Sequence, residues 1–425
     1  MGSAQSTQPV AGPDADITLR IQEITLELAP RHSVRTIAYN GQVPGPLLRV
    51  SEGKTIAVDV WNDTNNEEMV HWHGLHIPSD VDGVHEEGTP PVPRHGHRRY
   101  VFTPRPAGTR WYHSHVPSGR NLHTGTYTGQ FGMLVVESPN DPGQYDLEVP
   151  VLLHEWEPYF TTEGPLDVEY KLYSMNGRML GAGEPIRVRR SQRALFRIVN
   201  ASATVQHRLA LPGHAFQVLA LDGNALSQRR TVPVIDVGPG ERVDAMVEMD
   251  NPGVWILGEV RDDQRNGGMG IIVEYRDMQG LPRWQPPPPF TWDYSAFGEQ
   301  ASTIEPYGRI PLVFQQPEGS HQWTINKKAY PNTAPLIVEE NRRYRLIFDN
   351  QSADPHPVHL HRHTFEVTRF DRKPTSGIFK DVVVVPAWKQ VEVDLVTNNP
   401  GPTLFHCHQQ FHMDSGFKLM MQYSS

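Results

Sequence analysis

Apolar and polar residues alternate along three short stretches of the chain, TIAVDVW (55–61), ALFRIV (194–199) and YRLIF (344–348). A period of two is that of an antiparallel strand with one face buried and the other wet. The 38 prolines and 35 glycines cut the remainder into short segments, and no long helical stripe competes with the strands. The pattern predicts an all-β chain of sandwiches or barrels with Greek-key returns and little helix.

Each stretch sits inside a longer unit that recurs. YNGQVPGPLLRVSEGKTIAVDVWND (39–63), MNGRMLGAGEPIRVRRSQRALFRIVN (175–200) and INKKAYPNTAPLIVEENRRYRLIFDN (325–350) each carry an Asn at the start (Asn40, Asn176, Asn326) and another at the close (Asn62, Asn200, Asn350). The two asparagines are 22, 24 and 24 residues apart. Similarity at so long a period reads as domain duplication, and at roughly 150 residues per domain the chain has room for three. Boundaries are expected in SPNDPGQYD (138–146) and LPRWQPPPPFTWDYSAFGEQAST (281–303), where extended, proline-rich chain offers few core positions. The domains then run 1–142, 143–285 and 300–425.

Charge narrows the partners. Lys and Arg number 39 against 48 acidic residues, a formal net charge of -9, which argues against nucleic acid or an anionic membrane as a general partner. No apolar run reaches the ~18 residues of a membrane span. The opening MGSAQSTQPVAGP has neither the basic nor the apolar region of a secretory signal and reads as the trimmed, re-tagged front of a mature protein. A single cysteine rules out an intramolecular disulfide.

The 21 histidines cluster in HWHGLH (71–76), YHSHV (112–116), HPVHLHRH (356–363) and HCHQQFH (406–412). Residues i and i+2 of a strand share a face, so His71 and His73, His113 and His115, His359 and His361, and His406 and His408 form four pairs. One pair is weak evidence. Four, split between the two ends of the chain, are not explained as satisfied core residues, because burying so many imidazoles without partners is costly. Metal ligation is the reading they support.

Cys407 lies between His406 and His408 and so faces the opposite side of its strand. With His356 and His412 it can complete a His2Cys set, the arrangement of blue-copper electron-transfer sites. The weak axial ligand of that arrangement would fall ten residues after the cysteine, where Phe417 stands. A benzyl group cannot donate, so a high-potential, strongly oxidising site is expected.

The motifs HWHG, YHSH, HPVHLH and HCHQQFH, in this order and at these ends of the chain, resemble those of the three-domain multicopper oxidases, laccases among them. The resemblance implies three tandem cupredoxin-like domains and four copper ions per chain. His356, Cys407 and His412 would hold the type 1 ion, His71 and His359 the type 2 ion, and His73, His113, His115, His361, His406 and His408 the type 3 pair. The trinuclear cluster would be clamped between domains 1 and 3, with domain 2 as scaffold and substrate-side wall. The implied activity is oxidation of small phenols or aromatic amines, one electron at a time through Cys407 to His406 and His408, coupled to reduction of dioxygen to water. Asp82 matches a family acidic residue near the cluster and is the first candidate for proton delivery; a turn aspartate before Gly83 is the alternative. An exported, periplasmic or extracellular monomer is implied.

Some positions depart from the family pattern. Gln409, Gln410 and Met413 stand where an acidic residue is common, leaving Asp414 as the nearby carboxylate. Arg362 replaces a small glycine, which implies room for a guanidinium or a shifted loop, and the loops around His356, Arg362 and Phe411 to Phe417, together with parts of domain 2, are expected to form the surface where donors bind. His85, His95 and His97 are expected to be solvent-facing loop residues. The NDT and NAS triplets at Asn62 and Asn200 match the glycosylation pattern but are read as structural. Rival functions are a cuprous oxidase, disfavoured by only 12 methionines, a copper nitrite reductase, which would leave the histidines of domain 1 unexplained, and a metal-free scaffold, disfavoured by intact ligand motifs.

Overall fold

The computed structural model describes residues 14–138, 144–161, 167–300 and 304–424. The opening residues 1–13, and the parts of the two expected boundary segments at 139–143 and 301–303, lie outside the described residues. The fold is three consecutive pairs of β-sheets, each pair a cupredoxin-like sandwich. In the first, a four-stranded sheet ordered His32–Tyr39, Ile17–Ala29, Ile56–Asn62, Gly96–Phe102 pairs with a sheet ordered Leu48–Ser51, Phe131–Glu137, Gly108–Ser114, Val70–His73. The second pair has six and five strands and the third seven and five. Strands adjacent in a sheet are often distant in sequence, as Greek-key connections require. The α-helices among the described residues are two short ones, Asp262–Asn266 and Gln410–Asp414.

The recurring asparagines have a structural cause. Asn40, Asn176 and Asn326 adopt φ of 52°, 52° and 50°, a left-handed conformation that Asn tolerates better than most residues. Each uses its side-chain oxygen to accept a backbone N–H of a neighbouring strand, from Arg20 at 2.6 Å, Leu152 at 2.9 Å and Val313 at 2.8 Å. The closing asparagines accept the N–H two residues on, from Thr64, Ser202 and Ser352, at 2.9, 2.9 and 3.0 Å. Their amide groups donate to backbone carbonyls, those of Val92, Val237 and Val385 among them. Asn62 and Asn200 are buried, so the triplets serve the fold.

One apolar core runs through the second and third sandwiches, and a separate one fills the first. The proline-rich connector differs from expectation: Tyr294 and Phe297 are 3% and 1% exposed and belong to the shared core. Aromatic residues just beyond the prolines anchor the segment, which the count of prolines concealed.

Candidate metal centre

Two antiparallel strand pairs bring the histidines together. Val70–His73 runs beside Gly108–Ser114 with His71 opposite His113, and His356–Leu360 runs beside Thr403–Cys407 with His359 opposite His406 and Val358 opposite Cys407. The first and third sandwiches face each other across this seam. Donor atoms of His71, His73 and His359, of His73, His113 and His408, and of His115, His361 and His406 lie within 4.8 Å of one another in each group. A fourth such group is His356, Cys407 and His412. All eleven side chains are buried.

Hydrogen bonds set which ring nitrogen of each imidazole is free. An acceptor oxygen on one nitrogen places the proton there and leaves the other with its lone pair. The Nδ1–H of His71 donates to Asp82 O at 3.0 Å, that of His359 to Asp381 O at 2.8 Å, that of His113 to Ser114 O and that of His406 to Cys407 O, both at 2.8 Å. His361 Nδ1 donates to Asp82 Oδ2 at 2.9 Å. His73 is reversed: its Nε2 donates to Asp381 Oδ1 at 3.0 Å, freeing Nδ1.

The freed nitrogens then converge. His71 Nε2 and His359 Nε2 are 3.4 Å apart, His73 Nδ1 and His113 Nε2 3.4 Å, and His361 Nε2 and His406 Nε2 2.9 Å. Lone pair facing lone pair is unfavourable in a dry interior unless a cation stands between them. Both ring nitrogens of His408, and Nε2 of His115, have no hydrogen-bond partner. Burial, aided by neighbouring imidazoles, holds His113, His115, His359 and His361 well below the usual value, and burial pushes His406 down to about 3, so the rings are neutral and ready to ligate. The donor set therefore fits metal ions.

Cys407 Sγ lies 3.7 Å from His356 Nδ1 and 3.8 Å from His412 Nδ1, which are themselves 3.3 Å apart. Ser352 Oγ meets His356 Nε2 at 2.9 Å, leaving Nδ1 directed at the sulfur. Burial pushes the Cys407 thiol well above its usual value, so a cation must replace the proton for a thiolate to form here. Phe417 is fully buried with its ring 4.7 Å from that of His356, and Trp323 covers His412 and His356 at 4.4 and 4.6 Å.

Several contributors carry no motif. Asp381, on the turn before Val382–Val385, is gripped by both guanidinium nitrogens of Arg242 at 2.6 Å. Arg242 comes from the middle sandwich, as does Asp222, whose carboxylate accepts the N–H groups of Asp381 and Val382. Glu87 is buried beside Asp82 and accepts the Leu404 N–H at 2.7 Å. Burial first, and the Asp82 carboxylate second, raise Glu87 well above the usual carboxyl range. An acidic residue in or beside an apolar run, as in KDVVVV (380–385), was the available signal.

Other expectations resolve individually. Asp82 is fully buried and contacts both His71 and His361, which is more than a turn requires. His85, His95 and His97 are exposed, as expected, although His97 lies on the strand Gly96–Phe102 and not in a loop. His76 and His363 bond to Thr364 and Tyr423 and are satisfied core residues. Asp414 accepts from Ser118 and Gly119 N–H groups and from Gln410 Nε2, each at 2.9 Å.

Arg362 and His356 are themselves buried, at 1% and 0% exposed, so neither side chain presents itself to a donor. Arg362 adopts φ of 58°, the left-handed region that Gly74 occupies after the equivalent histidine at 84°. Its guanidinium donates to Ile77 O, Pro402 O, Thr403 Oγ1, Asn399 O and Pro400 O, sewing the first sandwich to the third. Those bonds offset the backbone strain that a glycine would avoid.

Three cupredoxin-like sandwiches, with a His2Cys pocket in the third and an eight-histidine cluster at the seam with the first, define a copper-dependent oxidoreductase. Residues 20–141, 153–274 and 304–425 each match the multicopper oxidase sequence profile, and the chain belongs to the three-domain multicopper oxidase family. The multicopper oxidase MmcO of Mycobacterium tuberculosis is 29% identical, covering 99% of this chain and 89% of the relative. A laccase of Pycnoporus cinnabarinus is 26% identical, covering 96% and 89%. A crystal structure of a multi-copper oxidase from Pseudomonas thermotolerans shares the fold with a TM-score of 0.76 at 24% identity, covering 97% of this chain and 100% of that one.

Proposed function

We propose that the protein is a laccase-like oxidase that takes single electrons from small phenols or aromatic amines and reduces dioxygen to water. The observation that carries this reading is the place of Cys407: its sulfur faces His356 and His412, while the residues on either side of it, His406 and His408, belong to the histidine cluster. A one-electron port and a multi-electron reservoir are thereby joined through a few bonds. Copper, when bound, supplies the redox chemistry, with His356, Cys407 and His412 as type 1 ligands, His71 and His359 as type 2 ligands, and His73, His113, His115, His361, His406 and His408 as ligands of the type 3 pair.

The chain's own residues do the rest. A cavity of about 270 Å³ beside His412 is lined by Arg120, His321, Tyr330, Phe411 and Asp414, with no methionine among its lining residues. Aromatic and polar walls suit an aromatic donor, whereas soft thioethers would favour Cu(I). Asp82 and Glu87 place buried carboxyl oxygens beside His361 of the cluster, where they can pass protons to it. Such enzymes act outside the cytoplasm, and we assign this one, as a monomer, to the periplasm or exterior; no helix among the described residues is long and apolar enough to cross a membrane.

Dioxygen uptake by the copper-loaded protein, with a methoxyphenol and with Cu(I) in parallel, tests the proposal. Uptake with the phenol supports it; uptake with Cu(I) alone would reassign the protein to metal oxidation.

A further inference from the structure

One tight turn recurs in all three sandwiches, just after the valine whose carbonyl accepts from Asn62, Asn200 or Asn350. It is closed by the N–H of Gly96 donating to Pro93 O, that of Glu241 to Gly238 O and that of Lys389 to Pro386 O, at 3.0, 3.0 and 3.2 Å. Its third residue is left-handed each time, with φ of 49° at His95, 84° at Gly240 and 60° at Trp388. His95 and Trp388 carry exposed side chains there. The backbone of this turn therefore does not by itself demand glycine, although glycine adopts it at least cost.

Gly240 differs in what faces it. A Cβ on Gly240 would lie 2.6 Å from Cδ2 of His408 and 2.9 Å from both Cγ and Nε2, closer than Cβ atoms approach their neighbours in folded chains. Equal distances to the two atoms that flank Cδ2 put this Cβ over the face of the imidazole and not at its rim. Neither side is free to yield. Gly240 N–H donates to Asn200 O at 2.9 Å and Asn200 N–H to Glu241 O at 3.1 Å, while Lys380 of the third sandwich meets the Glu241 carboxylate at 3.1 Å. The His408 main chain is held by its N–H, which donates to Pro357 O at 2.6 Å.

Among the eight cluster histidines, His408 alone has both ring nitrogens without a hydrogen-bond partner. The oxygens that orient His71, His73, His113, His359, His361 and His406 have no counterpart for it. Packing is left to supply the orientation, from Trp111 of the first sandwich, with ring centres 5.6 Å apart, and from the Gly240 backbone of the second.

We propose that Gly240 is a positioning residue for His408: the Gly238–Glu241 turn of the middle sandwich is a wall of the histidine cluster and holds by contact an imidazole that no hydrogen bond holds. Ordinary contact with a methyl group at 240 begins at 3.4 Å. The ring would have to shift by several tenths of an ångström, more than the ~0.2 Å that metal–donor distances tolerate. All three sandwiches, and not only the first and third, thus shape the cluster.

The inference rests on the reading of His408 as a copper ligand, which the loss of cluster copper in His408→Ala tests separately. Gly240→Ala is then compared with Gly181→Ala. Gly181 is the third residue of a turn in the same sandwich, closed by Ala182 N–H on Met179 O at 2.9 Å, with φ of 82° and no atom within 4 Å of its Cβ. The two variants share the backbone strain, and only the first meets His408. Both are loaded with copper and titrated with a chelator while copper per chain and the visible band of the Cys407 site are recorded. Gly240→Ala is expected to release cluster copper at a chelator concentration roughly 10- to 100-fold lower than Gly181→Ala, with the Cys407 band retained. Equal retention in the two variants would overturn the inference. If Gly240→Ala does not fold, the same substitution in a His408→Ala chain decides: cooperative unfolding regained there supports the contact, and continued failure to fold overturns it.

Discussion

Asp381 accepts the Nε2–H of His73 at 3.0 Å and is itself clamped by Arg242 of the middle sandwich. This one carboxylate sets the tautomer of an imidazole whose opposite nitrogen enters the cluster. Asp381→Asn can present an N–H where an acceptor is needed, and it leaves Arg242 with only the more distant Asp222 carboxylate, at 3.9 Å, in place of the two 2.6 Å bonds. Loss of copper from the histidine cluster, or a fall in turnover of roughly 10- to 100-fold, is expected. Copper content per chain and dioxygen uptake, measured together, check this; a variant equal to wild type in both would remove Asp381 from the site.

Asp82 touches His71 and His361 and neighbours Glu87. Asp82 Oδ1 and Glu87 Oε2 have no hydrogen-bond partner, and burial with the Asp82 carboxylate raises Glu87 above the usual carboxyl range. Asp82→Asn is expected to slow dioxygen reduction by ~100-fold, the range of general acid–base contributions. Reduction of the Cys407 site by a phenol under anaerobic conditions should be unchanged, which separates a proton-delivery defect from an electron-transfer defect. Full turnover in this variant with copper retained would exclude Asp82 from the mechanism.

Phe417 sets an apolar ring beside His356, backed by Phe314 at 4.8 Å, at the position proposed for a weak axial donor. Phe417→Met adds a thioether donor, and the potential of the Cys407 site is expected to fall, since axial ligation tunes it. Redox titration of the visible band is the direct check. An unchanged or higher potential would mean that the sulfur does not reach the metal.

The buried His207 makes stability depend on alkaline pH. Burial alone would push it down, but the Glu155 and Glu259 carboxylates overcome that effect and raise it from 6.5 to about 9. A folded-state value above the unfolded one stabilises fully below about 6.5, and this contribution, at most about 3 kcal/mol, is lost as pH rises through about 9. Wild-type thermal stability should therefore decline between those values, and His207→Gln should be less stable at pH 6 and show a flatter profile over the same window.

The fold and the clustering of the histidines were legible in the sequence because both rest on local periodicity. Alternation marked the strands, paired asparagines marked the duplication, and H-x-H placed imidazoles on one face before any tertiary contact was known. Asp381, Arg242, Glu87 and Trp323 were not legible, because each reaches the site from a segment with no motif and acts through a partner far away in sequence. Arg362 shows the same limit from the other side: its left-handed backbone could be suspected from the glycine it replaces, but its carbonyl partners at 77 and 399–402 belong to folded chain alone. The middle domain, without any of the four motifs, gave no sign that its Arg242 and Asp222 reach across to Asp381.

The most direct test of the coupling between Cys407 and the histidine cluster is the ratio of phenol oxidised to dioxygen consumed, measured with the copper-loaded wild-type protein while hydrogen peroxide is assayed in the same vessel. Four electrons from the donor per dioxygen, without peroxide, is the expected result. Two electrons per dioxygen, with peroxide accumulating, would contradict the account, because it would mean that the histidine cluster does not work as one site.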